Sequence, residues 1–176
     1  MASPDRPRTG GHRIADVALR HLAPGRRARV HWPAPCADPT VAALVVLFAG
    51  DDDLVDELMA RLRAVVLTVS ATHAVEAHAA VSWAADHAAE LGADASRMAV
   101  VGDRAGAAVA ERVAELAVDE GWPPLRHVAL IWPHHDPTAA LDALTRALAV
   151  PTRQPNRSCA APRARRHSCW ARLSSR

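Results

Sequence analysis

The stretch Met98-Ala-Val-Val-Gly-Asp-Arg-Ala-Gly106 decides the fold of this chain of 176 residues. It begins with a short apolar run of strand character, and glycines then stand at positions 102 and 106. An alanine-rich segment with helical periodicity follows, up to Glu120. A strand that turns sharply into a helix needs small residues beside the turn, because its backbone passes close to both elements. The stretch therefore predicts a strand, a tight turn centred on Arg104 and a helix over Ala105–Glu120.

Apolar runs and helical segments alternate along the rest of the chain. Strands are predicted at residues 29–32, 41–48, 64–69, 98–101 and 127–132. Helices are predicted at residues 13–22, at 54–62 with Asp52 or Asp53 as N-cap, at 74–91 before Gly92, at 105–120 and from Asp136-Pro137 onward. This alternation predicts an α/β fold, a mostly parallel sheet with helices on both faces in three layers.

The turn has the layout of a nucleophile elbow, G-x-S-x-G. Gly102-Asp103-Arg104-Ala105-Gly106 resembles the G-D-S-A-G elbow of the hormone-sensitive-lipase-like bacterial esterases. Residues 81–94 with Ser96-Arg97-Met98 resemble that family's preceding helix and its D-x-x-R-I-A-V-x-G-D approach. Residues 41–50 resemble the strand that leads into the family's oxyanion motif H-G-G-G, and Trp132-Pro133 resembles a later strand end. The resemblance covers roughly residues 26–135 and implies a partial α/β-hydrolase core.

The same comparison reveals departures at the positions that would carry catalysis. Arg104 stands where the family has its nucleophilic serine, and arginine is no nucleophile. The oxyanion motif is reduced to Ala49-Gly50-Asp51 and is followed by two more acids, which would oppose a developing oxyanion. The family's catalytic acid and histidine follow two further strands, whereas the recognisable domain ends near residue 150. The resemblance therefore implies no intact catalytic residue. The elbow and oxyanion-equivalent positions are Gly102, Asp103, Arg104, Ala105, Gly106, Ala49 and Gly50.

These departures lead us to expect an esterase-like protein that is catalytically inactive, a degenerate and truncated member of the family. The alternative is a non-catalytic binding or interaction protein that reuses the fold. In either case the expected ligand is a small acyl ester or a carboxylate, without a cofactor or a metal. An elbow at residues 102–106 also predicts a positive φ for Arg104. Its guanidinium should reach solvent or one of the acids at positions 51–53.

Charge and composition divide the chain and exclude several classes of function. Residues 151–176 contain seven arginines and no acid, so we expect a lead-in over 1–25, a core over 26–150 and a basic disordered tail over 151–176. All 21 basic residues are arginine, which excludes lysine chemistry, and the chain has no tyrosine. We expect a cytoplasmic protein without nucleic-acid binding or a membrane span.

If later strands are missing, the strand at 127–132 has an open edge for self-association.

Four other groupings could carry chemistry and receive weaker support. His78, Ser82 and Asp86 share one helix face, but such side chains point outward in parallel, so a polar surface is favoured over a triad. His73 and His78 are interpreted as solvated. His134-His135-Asp136 is interpreted as a turn and not as a metal site, since adjacent residues seldom converge on one ion. The elbow glycines could form an anion loop with Arg104, although the P-loop lysine is missing.

Overall fold

A computed structural model describes residues 12–19, 26–34, 41–132 and 137–149. The elements in chain order are β1 (Arg13–Val17), β2 (Ala28–Trp32), β3 (Ala42–Phe48), α1 (Asp52–Leu62), β4 (Val65–Val69), α2 (Ala74–Asp86), β5 (Ala93–Asp103), α3 (Ala105–Glu120), β6 (Leu125–Ile131) and α4 (Pro137–Leu148). The strands form one sheet in the order β1-β2-β4-β3-β5-β6. The pairs β3–β4, β3–β5 and β5–β6 are parallel, and β1–β2 and β2–β4 are antiparallel. The predicted fold class is confirmed.

The core has two halves because alternate residues of each strand point to opposite faces of the sheet. On β3, Leu44, Val46 and Phe48 pack with α2 and α3. The residues between them, with Val45 and Leu47 among them, pack with α1 and α4. This two-sided burial explains why the strand reads as an unbroken apolar run. In the described part of the chain, no helix is both long and apolar enough to span a bilayer.

The predicted leading helix at residues 13–22 is wrong. Residues 13–17 form β1 on the edge of the sheet, antiparallel to β2. Cross-strand contacts override the helical pattern, since Arg29 Nε donates to Asp16 Oδ1 over 3.0 Å and the Arg13 guanidinium lies 4.5 Å from the Trp32 ring centroid. Such pairs stabilise a sheet in a way that a single-sequence periodicity cannot reveal.

Other boundaries also differ from the prediction, among them the start of β5, which lies at Ala93 and not at residue 98. The N-cap of α1 is Asp51, whose side chain accepts the Leu54 N–H over 3.0 Å, in place of Asp52 or Asp53. Helix α2 ends at Asp86 and not at residue 91, and His87 Nδ1 lies 2.8 Å from the Trp83 carbonyl oxygen. A turn continues to Gly92, which has the positive φ (75°) that suits glycine.

His78 is also placed differently from the prediction, which had it in solvent. It is only 7% exposed, and its Nε2 lies 2.9 Å from the carbonyl oxygen of Trp122. Its Nδ1 lies 3.8 Å from a carboxylate oxygen of Glu120 at the end of α3. The ring therefore connects α2 to the segment that follows α3, which gives a buried polar side chain the hydrogen bond it requires. His73 is exposed, as predicted.

Arg97 connects three elements at the amino edge of the sheet. It lies where the pairing of β5 with β3 shifts in register. Its Nε and Nη2 donate to the Leu148 carbonyl over 3.0 and 2.6 Å, and its Nη1 donates to the Val41 carbonyl over 2.8 Å. Arg126 Nε adds a 3.1 Å bond to the Ala147 carbonyl. Two cations thus satisfy the last carbonyls of α4, where the helix dipole favours positive charge.

Replacing Arg97 with methionine should lower the free energy of unfolding by about 1.5–3 kcal/mol, because hydrogen bonds to a charged group are lost and carbonyls lose their donors. Urea denaturation followed by circular dichroism measures the change. Arg112→Met is the matched control, since among the described residues Arg112 pairs only with Glu115 on the exposed face of α3, and its replacement should change stability by less than about 0.5 kcal/mol. Equal effects of the two substitutions would contradict the role given to Arg97.

Candidate active site

Arg104 occupies the junction between β5 and α3, at the carboxyl end of a strand that lies between β3 and β6. Its φ is 49° and its ψ is −110°, so the predicted position and the predicted positive φ are both confirmed. A non-glycine residue in this region is strained by about 1–3 kcal/mol. The Arg104 N–H donates to the Ile131 carbonyl over 2.8 Å, which fixes the turn against the end of β6. No pattern in the sequence pointed to that bond.

The two glycines of the turn have the steric role that the sequence predicted. A Cβ on Gly102 would lie 2.6 Å from Ala107 Cα and would also clash with the Gly106 carbonyl oxygen. A Cβ on Gly106 would lie 2.6 Å from the Phe48 carbonyl carbon and would also clash with its oxygen. Both obstacles are backbone atoms, which cannot move aside as a flexible side chain can. The turn therefore brings α3 against both β5 and β3 at a distance that only glycine permits.

The Arg104 side chain lies between two acids. Its Nη2 is 3.4 Å from Asp51 Oδ2, and its Nε is 3.6 Å from Asp103 Oδ2. The Arg104 side chain remains 64% exposed, so this is a surface ion pair of modest strength. The prediction that the guanidinium reaches solvent or one of the acids at positions 51–53 is confirmed, with Asp51 as the partner. Burial raises the pKa of the Asp103 carboxyl, while the adjacent Arg104 cation acts in the opposite direction.

The segment after β3 places a carboxylate beside the elbow. Ala49 has a positive φ of 59°, and Gly50 packs against the Leu47 side chain. Asp51 then begins α1 by accepting the Leu54 N–H through Oδ1, while its Oδ2 faces Arg104. One side chain therefore caps a helix and also carries a negative charge to the junction. An oxyanion hole at this place would require hydrogen-bond donors where the Asp51 carboxylate now lies.

The remaining sequence candidates are not brought to the elbow. His78 contacts Trp122 and Glu120, Asp86 is exposed, and Ser82 is half-buried. The three do not form a hydrogen-bonded triad in the described residues. The segment 134–136, which was interpreted as a turn, lies outside the residues that the structure describes. The tail at 151–176 lies outside them as well.

Replacing Arg104 with glycine should leave the free energy of unfolding unchanged or raise it by up to about 2 kcal/mol. Relief of the positive φ outweighs the loss of an exposed ion pair and the entropy of an added glycine. Arg104→Ala is the matched control because it removes the same ion pairs but keeps a Cβ at this φ. Thermal or urea unfolding should rank glycine above alanine, and the reverse order would mean that the turn is unstrained.

Comparisons with known proteins agree with this geometry. A family model described as the α/β-hydrolase fold matches residues 42–175. The esterase LipI of Mycobacterium tuberculosis is 32% identical in an alignment 151 positions long, which covers 73% of this chain and 47% of LipI. The carboxylesterase NlhH of the same organism is 49% identical over 55 residues, or 31% of this chain and 17% of NlhH. An esterase structure from Pyrobaculum calidifontis is 28% identical with a TM-score of 0.57, over 66% of this chain and 43% of that one.

The chain thus spans about half the length of LipI, its longest match among these relatives. The matched part includes β3, the β5–α3 turn and the helices on both faces of the sheet. The chain belongs to the α/β-hydrolase fold family, and within it resembles the hormone-sensitive-lipase-like esterases.

Proposed function

We propose that this chain keeps the core of an esterase but does not hydrolyse carboxylic esters. The observation that carries the proposal is Arg104 at the turn between β5 and α3, with the backbone conformation of an elbow residue. Ester hydrolysis by this family starts with attack of a serine oxygen on the acyl carbon. A guanidinium is protonated at all ordinary pH values and has no lone pair available for that attack.

The charges near Arg104 support the same proposal. A tetrahedral intermediate carries a negative oxygen and requires hydrogen-bond donors aimed at it. Here the Asp51 carboxylate lies 3.4 Å from the Arg104 guanidinium, and the Asp103 carboxylate is buried next to it. Two acids beside one cation would disfavour a second negative charge at this place.

A general base is the third requirement. In the described part of the chain, no histidine ring forms a hydrogen bond with residues 102–106, and the side-chain contacts of Arg104 are with Asp51 and Asp103. A serine at position 104 would therefore lack the imidazole that activates it. We therefore expect that restoring a serine at position 104 would not by itself give esterase activity.

A binding function is the second candidate, and the exposure of the Arg104 guanidinium favours it. A cation at the carboxyl edge of a mostly parallel sheet lies where ligands of open α/β folds bind. Its planar fork suits a carboxylate, such as the acid part of a small acyl ester. We propose such a ligand for a non-catalytic, cytoplasmic protein, and note that Asp51 would have to be displaced from Arg104 for it to bind.

The purified chain should not hydrolyse p-nitrophenyl butyrate faster than a heat-denatured sample, and Arg104→Ser should remain at the same background. The serine hydroxyl would be present but not activated. A continuous absorbance assay measures release of p-nitrophenol, with an active bacterial esterase as positive control.

Arg112→Ser, on the exposed face of α3, is the matched control for the substitution itself. A fluorophosphonate probe with intact-protein mass spectrometry adds a readout that does not depend on turnover: neither Arg104→Ser nor Arg112→Ser should be labelled. Saturable hydrolysis by the natural chain would overturn the proposal. Selective labelling of Arg104→Ser would mean that this chain still supplies a base.

We also expect self-association through β6. Among the described residues β6 pairs only with β5, so its other edge presents backbone N–H and C=O groups to another chain. Sedimentation velocity should show a dimer fraction that grows with protein concentration, and amide exchange should slow in β6 but not in β1 at the opposite edge. A monomer at every concentration would count against this expectation.

A further inference from the structure

A cavity of about 230 Å³ lies on the α1 side of the sheet, away from the elbow. Its polar lining comes from β2, β4 and the start of α1: Arg27, Arg29, His31, Asp52, Thr68 and Ser70. None of residues 102–106 lines it, but the oxyanion-equivalent positions Ala49 and Gly50 do. The cavity is thus at the carboxyl edge of β3 and β4 and shares these two residues with the candidate active site, while Arg104 lies outside its lining.

The two arginines give this cavity donors that the fold does not use up. Among the described residues, the Arg29 side chain donates to Asp16 through Nε, and its terminal nitrogens take no part in that bond. Arg27 forms no ion pair with any described residue, although its backbone carbonyl accepts the Ser70 N–H over 2.9 Å and so keeps it beside β4. The hydroxyls of Thr68 and Ser70 add two groups that can donate to an oxygen.

His31 provides an independent observation in the wall of the same cavity. It is 3% exposed, and within the described residues its Nδ1 is a buried side-chain atom without a hydrogen-bond partner. Its Nε2 lies 3.5 Å from Thr68 Oγ1. A buried polar atom without a partner costs about 1–3 kcal/mol and is uncommon in folded proteins unless the site has another use.

We propose that this cavity binds a short-chain carboxylate, with its oxygens on Arg27 and Arg29 and its alkyl part toward Leu47 and Val55. The planar guanidinium fork matches a carboxylate in geometry. Leu47 and Val55, the apolar residues of the wall from β3 and α1, are almost fully buried, so the alkyl part of the ligand can only be short. The volume is below the about 300–1,000 Å³ of pockets for drug-sized ligands, so the ligand is small.

Asp52 can be used to tell whether the cavity binds an anion or a cation. It lines the side formed by α1 and repels an anion, so its removal should strengthen carboxylate binding. A cationic ligand would depend on Asp52 and would be repelled by the arginines. Substitutions at these positions therefore distinguish the two kinds of ligand.

The test is a titration of the full chain with sodium propionate at constant ionic strength, followed by the NMR signals of the His31 ring and the Thr68 and Ser70 amides. We expect saturable shifts that Arg27→Met and Arg29→Met weaken about tenfold and that Asp52→Asn strengthens about two- to fourfold. Arg26→Met is the matched control, because Arg26 bonds Thr72 and does not line the cavity.

Arg27→Met keeps the test valid if Arg29→Met disturbs β1, since Arg27 has no ion pair with a described residue to lose. The spectrum of each variant without propionate reports whether it is folded. Shifts that grow linearly without saturation, an equal loss in Arg26→Met, or tighter binding of ethylammonium than of propionate would each overturn the proposal. Arg104→Ser should bind propionate as the natural chain does. If it does not, the ligand lies at the elbow and this assignment is wrong.

Discussion

The close approach of α3 to β3 is the constraint on which the rest of this fold depends. Gly106 leaves no room for a side chain next to the Phe48 backbone, and Gly102 leaves none next to Ala107. These two approaches set the angle at which α3 leaves β5, and they compress the turn so that residue 104 takes a positive φ. The strain at Arg104 is therefore a consequence of packing between backbones. It persists whatever side chain occupies the position, so the backbone shape of the elbow does not depend on a serine at residue 104.

Much of the fold could be predicted because its strands are buried on both faces and its turns are marked by glycine. The unbroken apolar run at residues 41–48 indicated a central strand, and Gly102 and Gly106 located the turn. The leading segment at 13–17 was misassigned because its contacts are with Arg29 and Trp32, which are distant in sequence. The end of α2 was misassigned because alanines, which have high helix propensity, continue to residue 89. The hydrogen bonds after Asp86 are those of a turn and not of a helix.

The candidate site was predictable in position and less so in its contacts. The motif located Arg104, and the run of acids suggested a partner for it. The choice of Asp51 over its neighbours follows from the start of α1, since the residue that caps the helix is also the one that turns toward the elbow. No sequence pattern indicated the cavity lined by Arg27 and His31. Its polar residues come from the β2, β4 and α1 segments, and the antiparallel pairing of β2 with β4 brings most of them together.

Helix α2 has a consequence for how this sequence can change over time. Its buried side comprises four alanines, Ala77, Ala80, Ala84 and Ala85, together with Val81 and His78, and the helix packs mainly against α3. Each of these alanines is a place where one added methyl group would have to displace its neighbours, at about 1–3 kcal/mol. In most enzymes the catalytic position tolerates the fewest substitutions. The proposed loss of catalysis would reverse that order: residue 104 would be open to drift in charge and length, while selection for a folded chain would act most strictly on residues that must stay small.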